Sequence, residues 1–214
     1  MNFFCISDHH GKDSKYENII KKIDKNHLGS SSVCLGDTGV GFVTKHSGGK
    51  KSYRMLPYYG PNHIVLAGNH DDRFFAKDIP NFICSWQYRQ IGNSNVLFIP
   101  GEESPLFDRK HRTEVVDWFP HEELSEQKMD TLYNEYKTNK PDIIISHGAP
   151  TVILEQTLDK LFGSSRTRQL LDALWELYRP KQWIFGHYHI AVHVSIGGTL
   201  FMCRPELGVI KLEV

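Results

Sequence analysis

Short apolar runs alternate along the chain with longer segments whose apolar residues recur every three to four positions, and most runs close in a polar turn containing glycine. Phe3 to Ser7 predicts a strand ending at Asp8, and residues 13–26 place Tyr16, Ile19, Ile20 and Ile23 at helical spacing. Ser32 to Leu35 and His63 to Ala67 repeat the strand signal and end at Gly36-Asp37 and Gly68-Asn69. Between them, residues 38–61 hold five glycines, two prolines and the basic group Lys45, His46, Lys50, Lys51 and Arg54, which predicts a long loop with one helical turn. Residues 86–99 read as a hairpin around Gly92-Asn93-Ser94-Asn95, 101–120 as irregular, and 122–140 as a helix stopped by Pro141. Ile143 to Ser146 ends at His147-Gly148, residues 166–178 read as a helix before Pro180, and Gln182 to Phe185 ends at Gly186-His187. Residues 191–196, 199–203 and 209–212 then predict an antiparallel meander. The result is one α/β domain, residues 1–214, with its strands in two packed sheets.

Composition adds exclusions. With 40% hydrophobic and 23% charged residues the chain is globular and not disordered. Lys plus Arg (25) balances Asp plus Glu (25), so no net field holds a polyanion or an acidic membrane, which argues against nucleic acid as a partner. No apolar run approaches the ~20 residues of a membrane span, and Met1 to Ile6 is short and uncharged for a secretory leader. A soluble, cytoplasmic protein is the expectation. Cys5, Cys34, Cys84 and Cys203 lie far apart in apolar stretches, the pattern of buried free thiols and not of disulfides or zinc clips.

The twelve histidines matter because many stand at strand exits: Asp8-His9-His10, Gly36-Asp37, Gly68-Asn69-His70-Asp71, His147-Gly148 and Gly186-His187-Tyr188-His189. Side chains leaving the carboxyl ends of parallel strands converge on one edge of a sheet. These exits supply carboxylates, an amide oxygen and imidazoles, a mixed donor set suited to iron, manganese or zinc. Asp8-x-His10 and His187-x-His189 share the spacing i, i+2, which in an extended segment puts both side chains on one side. A glycine before Asp37, Asn69 and His187 lets the backbone turn sharply into the site.

In this order the blocks resemble the calcineurin-like metallophosphoesterase superfamily over residues 8–189, and most of all its small bacterial and phage members. The resemblance implies a four-layer fold, a double β-sheet sandwich flanked by helices, and two divalent transition-metal ions. It assigns Asp8, His10 and His189 to one ion, Asn69, His147 and His187 to the other, Asp37 to the bridge between them, and His70 to the general acid. In such a site two cations ~3.5–4 Å apart bind phosphoryl oxygens and hold a hydroxide in line with phosphorus, while a histidine protonates the leaving oxygen. Gly36-Asp37-Thr38-Gly39-Val40-Gly41 lacks the further Asp and Arg-Gly of the Ser/Thr phosphatase branch, and Asp71 closes the third block where that branch has Glu. That departure argues against a phosphoprotein phosphatase and leaves Asp71 or Asp72 to orient His70. Glycines 36, 39 and 41 do not match Gly-x-Gly-x-x-Gly, so no dinucleotide loop is read there. The segment from Asp108, Arg109 and Arg112 through Trp118-Phe119-Pro120 to Ser125 is similar to one in the small bacterial and phage members; by itself it reads as an N-capped amphipathic helix with a core tryptophan.

Arg73 and Arg112 are candidates to grip phosphate oxygens bidentately, with surface salt bridges as their plainer role. Lys45, Lys50, Lys51 and Arg54 are either a lid or a solvated face. Tyr58, Tyr59 and Tyr188 read as packing residues before base-stacking ones, and His9 as a residue behind the ligands or facing solvent. The function expected is hydrolysis of phosphomonoesters or phosphodiesters, on small-molecule or nucleotide substrates, with two metal ions (manganese, iron or zinc). The alternatives are a DNA or RNA nuclease of the same superfamily and a catalytically silent metal-binding interaction module.

Overall fold

Strand β1 (Asn2–Ile6) is apolar at consecutive positions because both of its faces are buried: Phe3 and Cys5 enter one core while Phe4 and Ile6 enter another. The same double burial recurs through the parallel strands and dictates a layered architecture. The computed structural model describes residues 2–47, 50–157 and 164–214. After β1 follow α1 (Asp13–Asn26), β2 (Ser31–Cys34), β3 (Val43–Ser47), β4 (Lys50–Tyr53), β5 (His63–Leu66), α2 (Arg73–Ala76), β6 (Phe82–Ile83), β7 (Gln87–Ile91), β8 (Ser94–Ile99) and α3 (Leu106–Arg109). The remaining elements are α4 (Glu126–Asn139), β9 (Ile143–Ser146), α5 (Thr151–Thr157), α6 (Arg166–Leu177), β10 (Gln182–Phe185), β11 (Val192–Ile196), β12 (Thr199–Cys203) and β13 (Val209–Glu213).

One sheet runs β13-β1-β2-β5-β6 and the other β11-β12-β10-β9-β8-β7. Within them β1, β2, β5 and β6 are parallel, as are β12, β10, β9 and β8. The inner faces meet through Phe3, Val33, Leu35 and Leu66 on one side and Phe98, Ile145, Ile184 and Met202 on the other, with Phe3 and Phe98 in edge contact at 6.5 Å. Helix α1 covers the outer face of the first sheet with Tyr16, Ile20 and Ile23. Helices α4 and α6 cover the outer face of the second with Leu132, Tyr136, Leu171 and Leu174. The α/β fold with a double sheet sandwich between helices is thus present.

Several expectations change. Strands β3 and β4 pair antiparallel where a helical turn was expected, because Val43-Thr44 and Ser52-Tyr53 are β-forming residues. The predicted C-terminal meander is broken: β12 pairs antiparallel with β11 and parallel with β10, whereas β13 crosses to the other sheet and pairs antiparallel with β1. Helix α4 starts at Glu126 behind the cap Ser125, since Glu122 and Glu123 are taken by Ser104 and by Thr167 with Arg166. Trp118 is half-buried under the Arg109 guanidinium, not a core residue. All four cysteines are free, three of them buried. No helix among the described residues is long and apolar enough to cross a membrane.

His63 is buried between the Tyr16 hydroxyl and the Ser32 hydroxyl, each 2.7 Å from one ring nitrogen. Burial pushes its pKa down from 6.5 to about 3. A folded-state pKa below the unfolded one means stability is complete above pH ~6.5 and declines as pH falls toward 3; the loss from this residue is about 2 kcal/mol at pH 5. Urea unfolding at pH 7.5 and 5 is expected to show a smaller acid-induced drop in His63→Gln than in the parent chain.

Candidate metal centre

Strands β1, β2 and β5 of one sheet and β9 and β10 of the other all end at one edge of the sandwich, and the residues just beyond them meet there. Three of these turns are left-handed at residues other than glycine: φ is 42° at His10, 55° at Asp37, 66° at His187 and 54° at His189. Such backbone is disfavoured for side chains with a Cβ and persists only where the surroundings impose it. The i, i+2 pairs therefore do not project from extended strands as the spacing suggests. The turn at Tyr188 instead sends His187 and His189 to different halves of the site.

In the first half His10 Nε2 lies 2.8 Å from His189 Nε2, and His189 Nε2 lies 3.8 Å from Asp8 Oδ2. The second half holds His147 Nε2 2.9 Å from Asn69 Oδ1, with the His147 and His187 rings 5.0 Å apart. Asp37 stands between: Oδ2 is 3.6 Å from His10 and Oδ1 is 3.2 Å from His147. Among the described residues, His10, Asp37 and His70 form one group with the spacing of a cation site, and Asp37, His147 and His187 form another. The donor set suits such ions: borderline imidazoles with hard carboxylates, and a buried Asp8 Oδ1 that has no hydrogen-bond partner.

Neighbours aim each donor. His147 Nδ1 donates to the Leu35 carbonyl at 2.7 Å, which leaves Nε2 as the nitrogen facing the site. The Asp8 carboxylate accepts from the His187 N–H at 3.0 Å, and the Asp37 carboxylate from the His70 N–H at 3.0 Å. Asn69 Nδ2 donates to the Ser104 hydroxyl at 2.9 Å, and that hydroxyl donates in turn to Glu122, so the Asn69 oxygen is turned toward His147. Ser104 carries no motif, and Glu122 reads in the sequence only as part of a helix start and not as a partner of the site.

Electrostatics follow from packing. Burial raises Asp8 to about 7, although His147 beside it works the other way. At Asp37 burial opposes the charge, but His70, His147 and His10 outweigh it and hold the carboxyl well below its ordinary range. Burial lowers His10 to about 4 and pushes His187 and His189 down as well, keeping these rings neutral, the form that ligates. His147 is disfavoured as a cation by burial yet lifted to about 10 by Asp37 and Asp8.

His70 is held from a direction the motif does not reveal. Arg112 Nη2 lies 2.7 Å from its Nε2 and 2.9 Å from Asp108 Oδ2, and Asp108 itself is 3.6 Å from Nε2. Burial lowers the ring's pKa, but Asp37 and Asp108 more than offset this and leave it raised. Asp71, expected as the orienter, instead accepts from the N–H groups of Thr38, Val40 and Gly68 and from the Thr38 hydroxyl, and Asp72 caps α2. Arg73 also points elsewhere: its guanidinium donates to the Cys84 carbonyl and lines a separate cavity. Arg54 is not a free lid residue, since it donates to the Thr38 carbonyl and pairs with Asp13; Lys51 is exposed, and the Lys45, His46 and Lys50 side chains lie outside the described residues. His9 is buried against Tyr16, and Tyr188 is buried against Phe185.

The glycines act mainly by leaving room. A Cβ on Gly68 would sit 2.1 Å from Asp37 Oδ1, and one on Gly186 would sit 2.7 Å from Asp8 Oδ1. Gly68→Ala is expected to displace Asp37, costing about 2 kcal/mol of stability and weakening manganese binding about tenfold or more by titration calorimetry; unchanged affinity would refute the placement.

Comparison with known proteins places these observations. The family model described as calcineurin-like phosphoesterase matches residues 1–191. No curated protein matches the chain. Among solved structures, a Staphylococcus aureus protein assigned as a 5′-nucleotidase is similar with a TM-score of 0.56 at 16% identity, over 98% of this chain and 50% of that one, so the chain spans half of that protein's length. The Plasmodium inner membrane complex anchor GAP50 is similar with a TM-score of 0.51 at 14% identity, over 95% of this chain and 70% of that one. A Streptococcus pneumoniae predicted phosphoesterase aligns over 99% and 83% of the two chains at 12% identity, with a TM-score of 0.47.

Proposed function

The chain belongs to the calcineurin-like phosphoesterase family, a metal-dependent phosphoric ester hydrolase, and from that premise we propose that it hydrolyses small-molecule or nucleotide phosphoesters with two divalent transition-metal ions bound across Asp37. The observation that carries this is the junction at Asp37, whose two carboxylate oxygens face histidines of separate groups. Asp8, His10 and His189 would hold one ion, and Asn69, His147 and His187 the other. Such ions, when bound, neutralise phosphoryl oxygens and make water acidic enough to attack at neutral pH.

The chain's own part is to place and move a proton. The oxygen of water forms the new P–O bond, the ester P–O bond breaks, and the leaving oxygen takes a proton from His70, held over the cavity by Asp108, which is itself paired with Arg112. Asp108 acts through His70 as a positioning residue, and Arg112 steadies Asp108 by pairing with it, its proposed second role being to grip a phosphoryl oxygen. Lys plus Arg equal to Asp plus Glu favours this over a nuclease, whose binding depends on neutralising many phosphates. A silent metal-binding module would have no use for a proton donor paired with Asp108 at the mouth of the cavity. The deciding experiment is a panel of phosphomonoesters, phosphodiesters, nucleotides and DNA, each offered with manganese, iron and zinc. Turnover of small esters is expected; degradation of DNA alone, or no turnover with any metal, would refute the reading.

A further inference from the structure

The metal cavity encloses about 270 Å³, below the ~300–1,000 Å³ of pockets that surround a whole small molecule. A phosphoryl group fits there, and the rest of an ester must lie outside. A larger cavity of about 550 Å³ adjoins it, and Pro105 and Phe107 line both. Leu106 and Phe107, both lining the second cavity, are 71% and 57% exposed, so an apolar platform stands beside the polar metal cavity.

The charges of the second cavity point to its occupant. Glu103 is matched by Arg109 at 2.7 Å, and Arg168 lies beside the buried Glu102. Lys110 and His111 line the same cavity, are exposed, and make no ion pair among the described residues. One short segment thus offers an aromatic face and two cationic or ionisable side chains, and the same segment lends Asp108 to His70. We infer that the second cavity receives the leaving group of the substrate, and that this group is a flat ring system carrying its own anionic group, as in a nucleoside 3′,5′-bisphosphate. The inference rests on the phosphoesterase reading and narrows it. One phosphoryl group sits at Asp37 and His70, the base or sugar lies on Phe107, and the second phosphate meets Lys110 and His111.

The test compares a nucleoside 3′,5′-bisphosphate with p-nitrophenyl phosphate, both with manganese, for the parent chain and for Lys110→Ala, Lys110→Arg and Phe107→Ala. In Lys110→Ala the ratio of kcat/KM for the bisphosphate to that for p-nitrophenyl phosphate is expected to fall about tenfold through KM, and Lys110→Arg should restore most of it. Phe107→Ala should raise KM for both esters. A ratio within about twofold of the parent in Lys110→Ala overturns the inference, as does a parent chain that cleaves p-nitrophenyl phosphate but not the bisphosphate. A parent chain that cleaves bis(p-nitrophenyl) phosphate but neither monoester overturns the inference alone, and one that cleaves none of the three refutes the phosphoesterase reading itself, so the two failures are distinguishable.

Discussion

Asp37→Asn is expected to abolish binding of both metal ions and to lower phosphoester hydrolysis about a thousandfold or more. The substitution is nearly isosteric, and the amide oxygen still accepts from the His70 N–H, so the loop keeps its anchor. What disappears is the charge facing His10, His70 and His147. A neutral oxygen cannot serve as the bridge between two cations, and without that bridge each half is left with imidazoles and at most one other anionic group. Elemental analysis after dialysis against manganese, alongside turnover of bis(p-nitrophenyl) phosphate, checks this. Full metal content in the variant would remove the dinuclear assignment.

The second large effect depends on the leaving group. His70→Ala is expected to slow hydrolysis of an alkyl phosphoester by about 10²- to 10⁴-fold, and to slow that of a p-nitrophenyl ester far less, because nitrophenolate departs without a proton. Metal content should stay at the level of the parent chain. Asp108→Asn should shift kcat in the same leaving-group-dependent way by a smaller factor, since it acts through the ring. Arg112→Ala separates two roles: lost orientation of His70 lowers kcat on the alkyl ester, and a lost grip on phosphate raises KM on both. Equal losses on alkyl and nitrophenyl esters in His70→Ala would remove proton donation from the scheme.

The parallel strands were legible because double burial writes itself as uninterrupted apolar runs, and their polar exits announced Asp8, Asp37, Asn69, His147 and His187. Less visible was anything set by contacts remote in sequence. The β3–β4 pair is anchored by Val43 N–H to the Val116 carbonyl and by Arg54 to Thr38, partners that no local pattern indicates. Strand β13 reads like a third strand of a meander, yet pairing with β1 decides its place, and strand pairing is not encoded in propensity. Asp71 looked like the orienter of His70 because it is adjacent, whereas Asp108 lies 38 residues on and reaches the ring through the fold. Ser104 had no signal, and Glu122 stood only in the segment similar to small bacterial and phage members with no role given to it, since a hydroxyl and a carboxylate become a relay only once Asn69 stands beside them.

The left-handed turns at His10, Asp37, His187 and His189 bear on how the protein can change over time. Each holds its residue against its own preference at a cost of about 1–3 kcal/mol, so the scaffold carries a standing tension in exchange for donors already in place before any ion arrives. A lineage that abandoned the chemistry would gain thermal robustness by drifting to glycine or asparagine at these positions. Descendants of this chain that melt higher and carry such replacements can therefore be read as retired enzymes.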